Sequence, residues 1–148
     1  MSGLKQRMND EVKTAMRSQN KERVAVLRVI MAALKQKEVD ERIELDDSQV
    51  LAVLDKLAKQ HRDSIQQFGN AGRDDLVAKE TRELQVVLEF MPAPLTEPEL
   101  GELIRAAIAA TGAAGIKDMG KVMGQLKSSV QGRADMGQVS SLVKKQLG

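Results

Sequence analysis

Apolar residues recur at three- and four-residue intervals along nearly the whole chain, the spacing that lays side chains on one face of a helix. Leu4, Met8, Val12, Ala15 and Met16 make a first stripe, and Ser2 can cap its start. Asn20 is a cap for a second helix with Val24, Leu27, Ile30, Met31 and Leu34 inward. Asp46-Asp47-Ser48 opens a third, whose stripe is Val50, Leu51, Leu54, Leu57, Ala58, His61, Ile65 and Phe68. Gly69-Asn70-Ala71-Gly72 ends it, since Gly and Asn tolerate a left-handed helix terminus. A fourth helix is expected from about Arg73 to Met91, burying Leu76, Val77, Leu84, Val87, Leu88 and Met91. Strand-type alternation is sustained nowhere, so the expected fold is all-α. With two Phe and neither Trp nor Tyr, its core must come from Leu, Val, Ile, Ala and Met.

Met91-Pro92-Ala93-Pro94-Leu95 cannot stay helical, because proline lacks an amide donor and biases its predecessor to extended geometry. The expected division is therefore an N-terminal helical domain of four helices, residues 1–92, and a small three-helix C-terminal tail, residues 93–148. Thr96 and Glu99 read as a capping box with Pro98 in the first turn, and Leu100, Leu103, Ile104, Ala107 and Ile108 follow. A sixth helix is expected over Lys117 to Ser128 with Met119, Val122, Met123 and Leu126 inside. Asp135 with Gln138 resembles another capping box before Val139, Leu142, Val143 and Leu147. A tail of roughly 50 residues is small for an independent core, so it is expected to lean on the first domain or on a partner.

Composition removes several chemistries. The absence of Cys excludes disulfides, a thiolate zinc site and a Cys nucleophile, and a single His excludes a two-histidine metal cluster. We expect no metal site, no cofactor and no catalytic residue. His61, Asp63 and Ser64 do not make a hydrolytic triad, because residues so close on one helix point in different directions. A partly buried structural histidine is the simpler reading. The pairs Asp46-Asp47 and Asp74-Asp75 are read as helix caps, and Arg7/Glu11 and Asp55/Lys59 as i, i+4 ion pairs. Met1 to Arg7 lacks the apolar core of a secretory leader, and no apolar run is long enough to span a bilayer. A soluble cytoplasmic protein with no membrane partner is expected.

The overall charge of +2 conceals an asymmetry. Residues 1–94 carry 16 basic and 16 acidic side chains, whereas residues 117–148 carry Lys117, Lys121, Lys127, Arg133, Lys144 and Lys145 against only Asp118 and Asp135. Lys117, Lys121, Gly124 and Ser128 fall along one helix face, where a glycine lets another backbone come close. Gly132-Arg133 leads into the N-terminus of the last helix, whose free amides favour an anion. Cations, amides and bare backbone are what RNA-backbone contact needs. The alternative is an ordinary basic surface with glycines at turns. Without Tyr or Trp, any RNA would be read through its shape and phosphates rather than by base stacking.

Several ordered blocks resemble one family. Lys59-Gln60-His61-Arg62-Asp63-Ser64-Ile65 through Phe68, Ala71-Gly72-Arg73-Asp74-Asp75-Leu76, Lys79-Glu80, Pro92 and Leu95 are followed by Lys117-Asp118-Met119-Gly120-Lys121-Val122-Met123-Gly124 and Gly132-Arg133-Ala134-Asp135. Together they resemble the YqeY branch of the GatB/YqeY family over nearly the whole chain. The resemblance implies a two-domain helical protein whose C-terminal part is similar to the tail of the B subunit of the bacterial glutamyl/aspartyl-tRNA amidotransferase, where the tail helps to hold tRNA. Matched by motif, Lys121, Gly124, Gly132, Arg133 and Ala134 occupy the tail's glycine-marked segment. Nothing here matches an ATP site or an amidase Ser/Lys nucleophile, so the carbon–nitrogen ligase activity in the family's wider name belongs to domains this chain lacks. The expectation is a non-catalytic, tRNA- or RNA-contacting protein. A protein-interaction module using the N-terminal helices is one alternative, and a glutamine-using amidotransferase activity only within a complex is another.

Overall fold

The computed structural model describes residues 2–148; Met1, where the leader reading begins, lies outside them. Seven α-helices and one short 3-10 turn form among these residues, with no strand. The helices are α1 (Gly3–Arg17), α2 (Lys21–Glu41), α3 (Asp47–Asn70), α4 (Asp74–Leu88), α5 (Glu97–Thr111), α6 (Met119–Val130) and α7 (Met136–Leu147). The 3-10 turn spans Ile116–Asp118, just ahead of α6. The chain forms two compact units, Met1–Met91 and Pro92–Gly148.

Five of the seven α-helix N-termini among the described residues are set by side chains that satisfy otherwise orphaned amides. Ser2 Oγ accepts from the Lys5 amide at 3.0 Å and Asn20 Oδ1 from the Arg23 amide at 3.1 Å. Asp46 and Gln49 form a reciprocal capping box at α3, and Thr96 and Glu99 form another at α5. Gly112 closes α5 at φ 66°, a left-handed conformation that a residue without Cβ adopts freely.

The first turn of α4 differs from the sequence reading. Its cap position is Arg73, without a side-chain cap, and the Asp75 carboxylate turns back to the Arg73 guanidinium at 3.1 Å. That hydrogen bond holds the Asp75 carboxyl below its ordinary range. Asp74 and Asp75 still sit where negative charge favours a helix start. The helix also stops at Leu88, so that Phe90 follows in a turn and enters the core at 2% exposure.

In the N-terminal unit Met8, Leu27, Ile30, Leu34, Val50, Leu54, Ala58, Val87 and Phe90 share one buried cluster. Leu45, in a stretch without legible periodicity, is buried with them. Lys5 Nζ reaches Glu38 at 2.6 Å, and Glu38 also accepts from the Leu45 amide at 2.9 Å, which ties the α2–α3 connection to α1. The anticipated Arg7/Glu11 pair gives way to longer-range partners. Arg7 donates to the Glu89 carbonyl at 2.7 Å and lies over the Phe90 ring, while Glu11 and Glu89 both bind Arg23. Among the described residues Asp55 and Lys59 make no ion pair either.

The C-terminal unit has an interior of its own: Leu100, Ile104 and Ala107 from α5, Val122, Leu126 and Val130 from α6, and Val139 and Val143 from α7. Met119 and Met123 border that cluster, the core role their spacing indicates.

Candidate nucleic-acid interface

Burying Val122, Leu126 and Val130 turns the opposite face of α6 to solvent. Lys121, Gly124, Lys127 and Ser128 are all exposed there, and Lys117 is exposed on the 3-10 turn just before. A methyl group placed on Gly124 or Gly120 would meet nothing within 4 Å. These glycines therefore serve no helix packing inside the unit and leave bare backbone open to solvent. On α7, Val139 and Val143 face inward while Lys144 and Lys145 are exposed in the last turn. Cations near a helix C-terminus also favour the dipole.

Both acidic residues of this stretch are committed to backbone amides. Asp118 Oδ2 accepts from the Ala114 amide at 2.9 Å, and Asp135 Oδ2 from the Gln138 amide at 3.1 Å. Among the described residues, Lys117, Lys121, Lys127, Lys144 and Lys145 make no ion pair. The N-terminal unit holds both kinds of cation, since Lys13, Lys21, Lys56 and Lys59 are likewise exposed and without ion pairs among the described residues, but its carboxylates are as numerous as its cations. There Lys5 pairs with Glu38, Arg23 with Glu11 and Glu89, Arg73 with Asp75 and Arg82 with Glu22.

Gly132 and Arg133 play a different part from the lysines. Gly132 turns the chain at φ 73°, and Arg133 is only partly exposed. Arg133 Nε donates to the Ala93 carbonyl at 3.2 Å, and its own carbonyl accepts from the Leu95 amide at 2.8 Å. This residue fastens the proline-rich segment to the turn before α7. The α7 N-terminus, read from sequence as a place for an anion, already holds the Asp135 carboxylate. A phosphate arriving there would meet like charge.

Sequence reasoning missed one grouping in the N-terminal unit. His61 Nδ1 lies 2.6 Å from Glu80 Oε2 and 3.9 Å from Glu83 Oε2. Their side chains are 20%, 18% and 24% exposed, the partly buried setting expected for His61. The available signal was mirror spacing: positions roughly ten residues either side of a tight turn between antiparallel helices face each other.

Two helical units, the first balanced in charge and the second ending in a lysine-rich, acid-poor stretch, define an all-α protein with a basic C-terminal end. A family model described as Yqey-like protein matches residues 5–147, and the chain belongs to that family. It is 33% identical over 145 residues to the altered inheritance of mitochondria protein 41, named as mitochondrial, of Pyrenophora tritici-repentis, a match covering 96% of this chain and 80% of that protein. The proteins of the same name from Eremothecium gossypii and Saccharomyces cerevisiae strain YJM789 are 36% identical over 87 residues and 31% over 85. Those two matches cover 58% and 57% of this chain, and 48% and 46% of the respective relatives. No helix among the described residues is long and apolar enough to cross a membrane.

Proposed function

We propose that the C-terminal unit contacts tRNA or another structured RNA, and that the chain performs no catalytic step of its own. The supporting observation is that five exposed lysines stand without carboxylate partners while Asp118 and Asp135 are engaged by backbone amides. Desolvated or paired cations give little to a polyanion, but free ones release its counterions on contact. No aromatic residue occurs beyond Phe90, so this surface reads phosphates and shape and not stacked bases. Lys117, Lys121, Lys127, Lys144 and Lys145 supply the charge, Gly124 the bare approach, and Gly132 with Arg133 the turn that sets α6 and α7. Any carbon–nitrogen ligase chemistry, with glutamine as amido donor, belongs in this reading to other subunits of a complex. The setting it requires is the cytoplasm or another aqueous compartment that holds tRNA.

A gel-shift titration of the full chain with tRNA tests the proposal. Retarded complex at low salt, lost with Lys121→Glu/Lys127→Glu, is the expected result. Absence of a complex at low salt, or equal binding by the variant, removes it.

A second reading, a protein-docking face on the N-terminal unit, draws on α2, where Val29 is 65% exposed. A stoichiometric protein partner that survives ribonuclease treatment and is lost with Val29→Asp is its expected signature; loss of the partner on ribonuclease treatment would refute it.

A further inference from the structure

Helices α3 and α4 are the most intimately packed pair of the N-terminal unit, joined through the short turn at Ala71–Arg73. His61 on α3 faces Glu80 and Glu83, which lie three positions apart and so share one face of α4. One imidazole nitrogen and two carboxylate oxygens all lie within 4.8 Å of one another. Two carboxylates held side by side repel unless a cation lies between them. The cations present do this incompletely, since Lys79 stands 3.9 Å from Glu83 and Arg82 is turned to Glu22 at 2.7 Å.

We propose that His61, Glu80 and Glu83 form a three-ligand site for a borderline divalent metal ion of the zinc class. Nitrogen and oxygen donors about 2.1 Å from such an ion stand about 3.4 Å apart in tetrahedral geometry. The observed separations from His61 Nδ1, 2.6 Å and 3.9 Å, straddle that value. Opening the Nδ1–Glu80 separation by about 0.8 Å and closing the Nδ1–Glu83 separation by about 0.5 Å brings both to that value, changes within the reach of glutamate side-chain rotation. The Nδ1–Glu80 contact is a hydrogen bond in which the ring donates; to ligate a metal the neutral imidazole takes the Nε2–H tautomer, Nδ1 giving up its proton to solvent while Nε2 carries one, so that the Nδ1 lone pair becomes the ligand. The donor set is mixed, which favours zinc, cobalt or nickel over calcium or magnesium, whose sites are built from oxygen.

The cluster also has an approach. His61 and Glu83 line an open groove together with Ile30, Leu57, Lys79 and Arg82. A metal entering there keeps its fourth position toward the groove, where water completes the coordination. Bound ion joins α3 to α4 across their exposed edge, a clasp independent of the lysine-bearing unit.

Titration of the full, chelator-treated chain with zinc chloride in a calorimeter, paralleled by cobalt chloride absorption spectra, tests the site. One ion per chain, with visible cobalt bands of a low-coordinate nitrogen/oxygen site, is expected. His61→Gln and Glu83→Gln should each weaken binding at least tenfold, and Asp74→Asn/Asp75→Asn should leave it unchanged. Circular dichroism establishes that each variant is folded, and Glu83→Gln, at a partly exposed position, serves if His61→Gln unfolds. Absence of binding by the parent chain, or binding unchanged in either folded ligand variant, overturns the assignment.

Discussion

The salt dependence of RNA binding gives a quantitative test of the lysine surface. Lys117, Lys121, Lys127, Lys144 and Lys145 are exposed and make no ion pairs among the described residues, so each is available to displace a counterion. At about 0.9 counterions per phosphate contact, five contacts give a slope of log K against log salt near −4.5. Affinity for tRNA should then fall about 500-fold between about 50 and about 200 mM salt. Lys121→Glu/Lys127→Glu removes two contacts, so the slope should relax to about −2.7 and the same salt change should weaken binding only about 40-fold. Fluorescence anisotropy with labelled tRNA measures both slopes. Lys56→Glu, an exposed site on α3 in the N-terminal unit, is the control and should leave the slope unaltered. A parent slope shallower than about −1, or equal slopes for parent and double variant, would refute the counterion argument.

Arg133→Lys keeps the charge but loses the Nε donor to Ala93, so the RNA salt slope should persist while thermal stability drops by about 1 kcal/mol. An unchanged melting curve would show that the contact holds nothing together. Leu126→Ala should cost about 2–5 kcal/mol, because it opens a cavity in the small interior shared by α5, α6 and α7. Hydrogen exchange should report loss of protection in those three helices, and undiminished protection would contradict the packing. Glu38 is held below the ordinary carboxylate range first by the Lys5 ammonium and then by the Leu45 amide. Its contribution to stability is therefore present above the unfolded carboxylate pKa and lost as pH falls through the lowered folded value. Glu38→Gln should be less stable than the parent at neutral pH, and the gap should close in acid. A gap that stays constant with pH in denaturant titrations would assign the effect to something other than the carboxylate charge.

Much of the local structure was legible because its causes are local. Ser2, Asn20, Asp46 and Thr96 cap helices as their positions indicated, since a cap needs only the three residues that follow it. The inward faces of α6 and α7 followed from helical period alone. Leu45 was hard to place because it enters the core from a segment without a period. Phe90 was hard to place because periodicity carries the fourth helix on to Met91 with Leu88 inward, whereas the helix stops at Leu88, which is exposed, and the turn beyond buries Phe90. Side-chain partners were also poorly legible: Arg7 donates to the backbone carbonyl of Glu89 across the unit and Glu11 pairs with Arg23, in place of one another.

The sequence by itself determined the helices and the concentration of positive charge near the carboxyl end, because periodicity and composition are properties of neighbouring residues. Only the tertiary structure decided which cations are free. It placed Asp118 and Asp135 on backbone amides, drew Arg133 into a fastening role and left the lysines unpaired. It likewise brought His61 to Glu80 and Glu83, residues on different helices. The physical reason is range: helix propensity acts over a few bonds, whereas hydrogen bonds and charge pairing act through a few ångströms of space, which chain order does not specify.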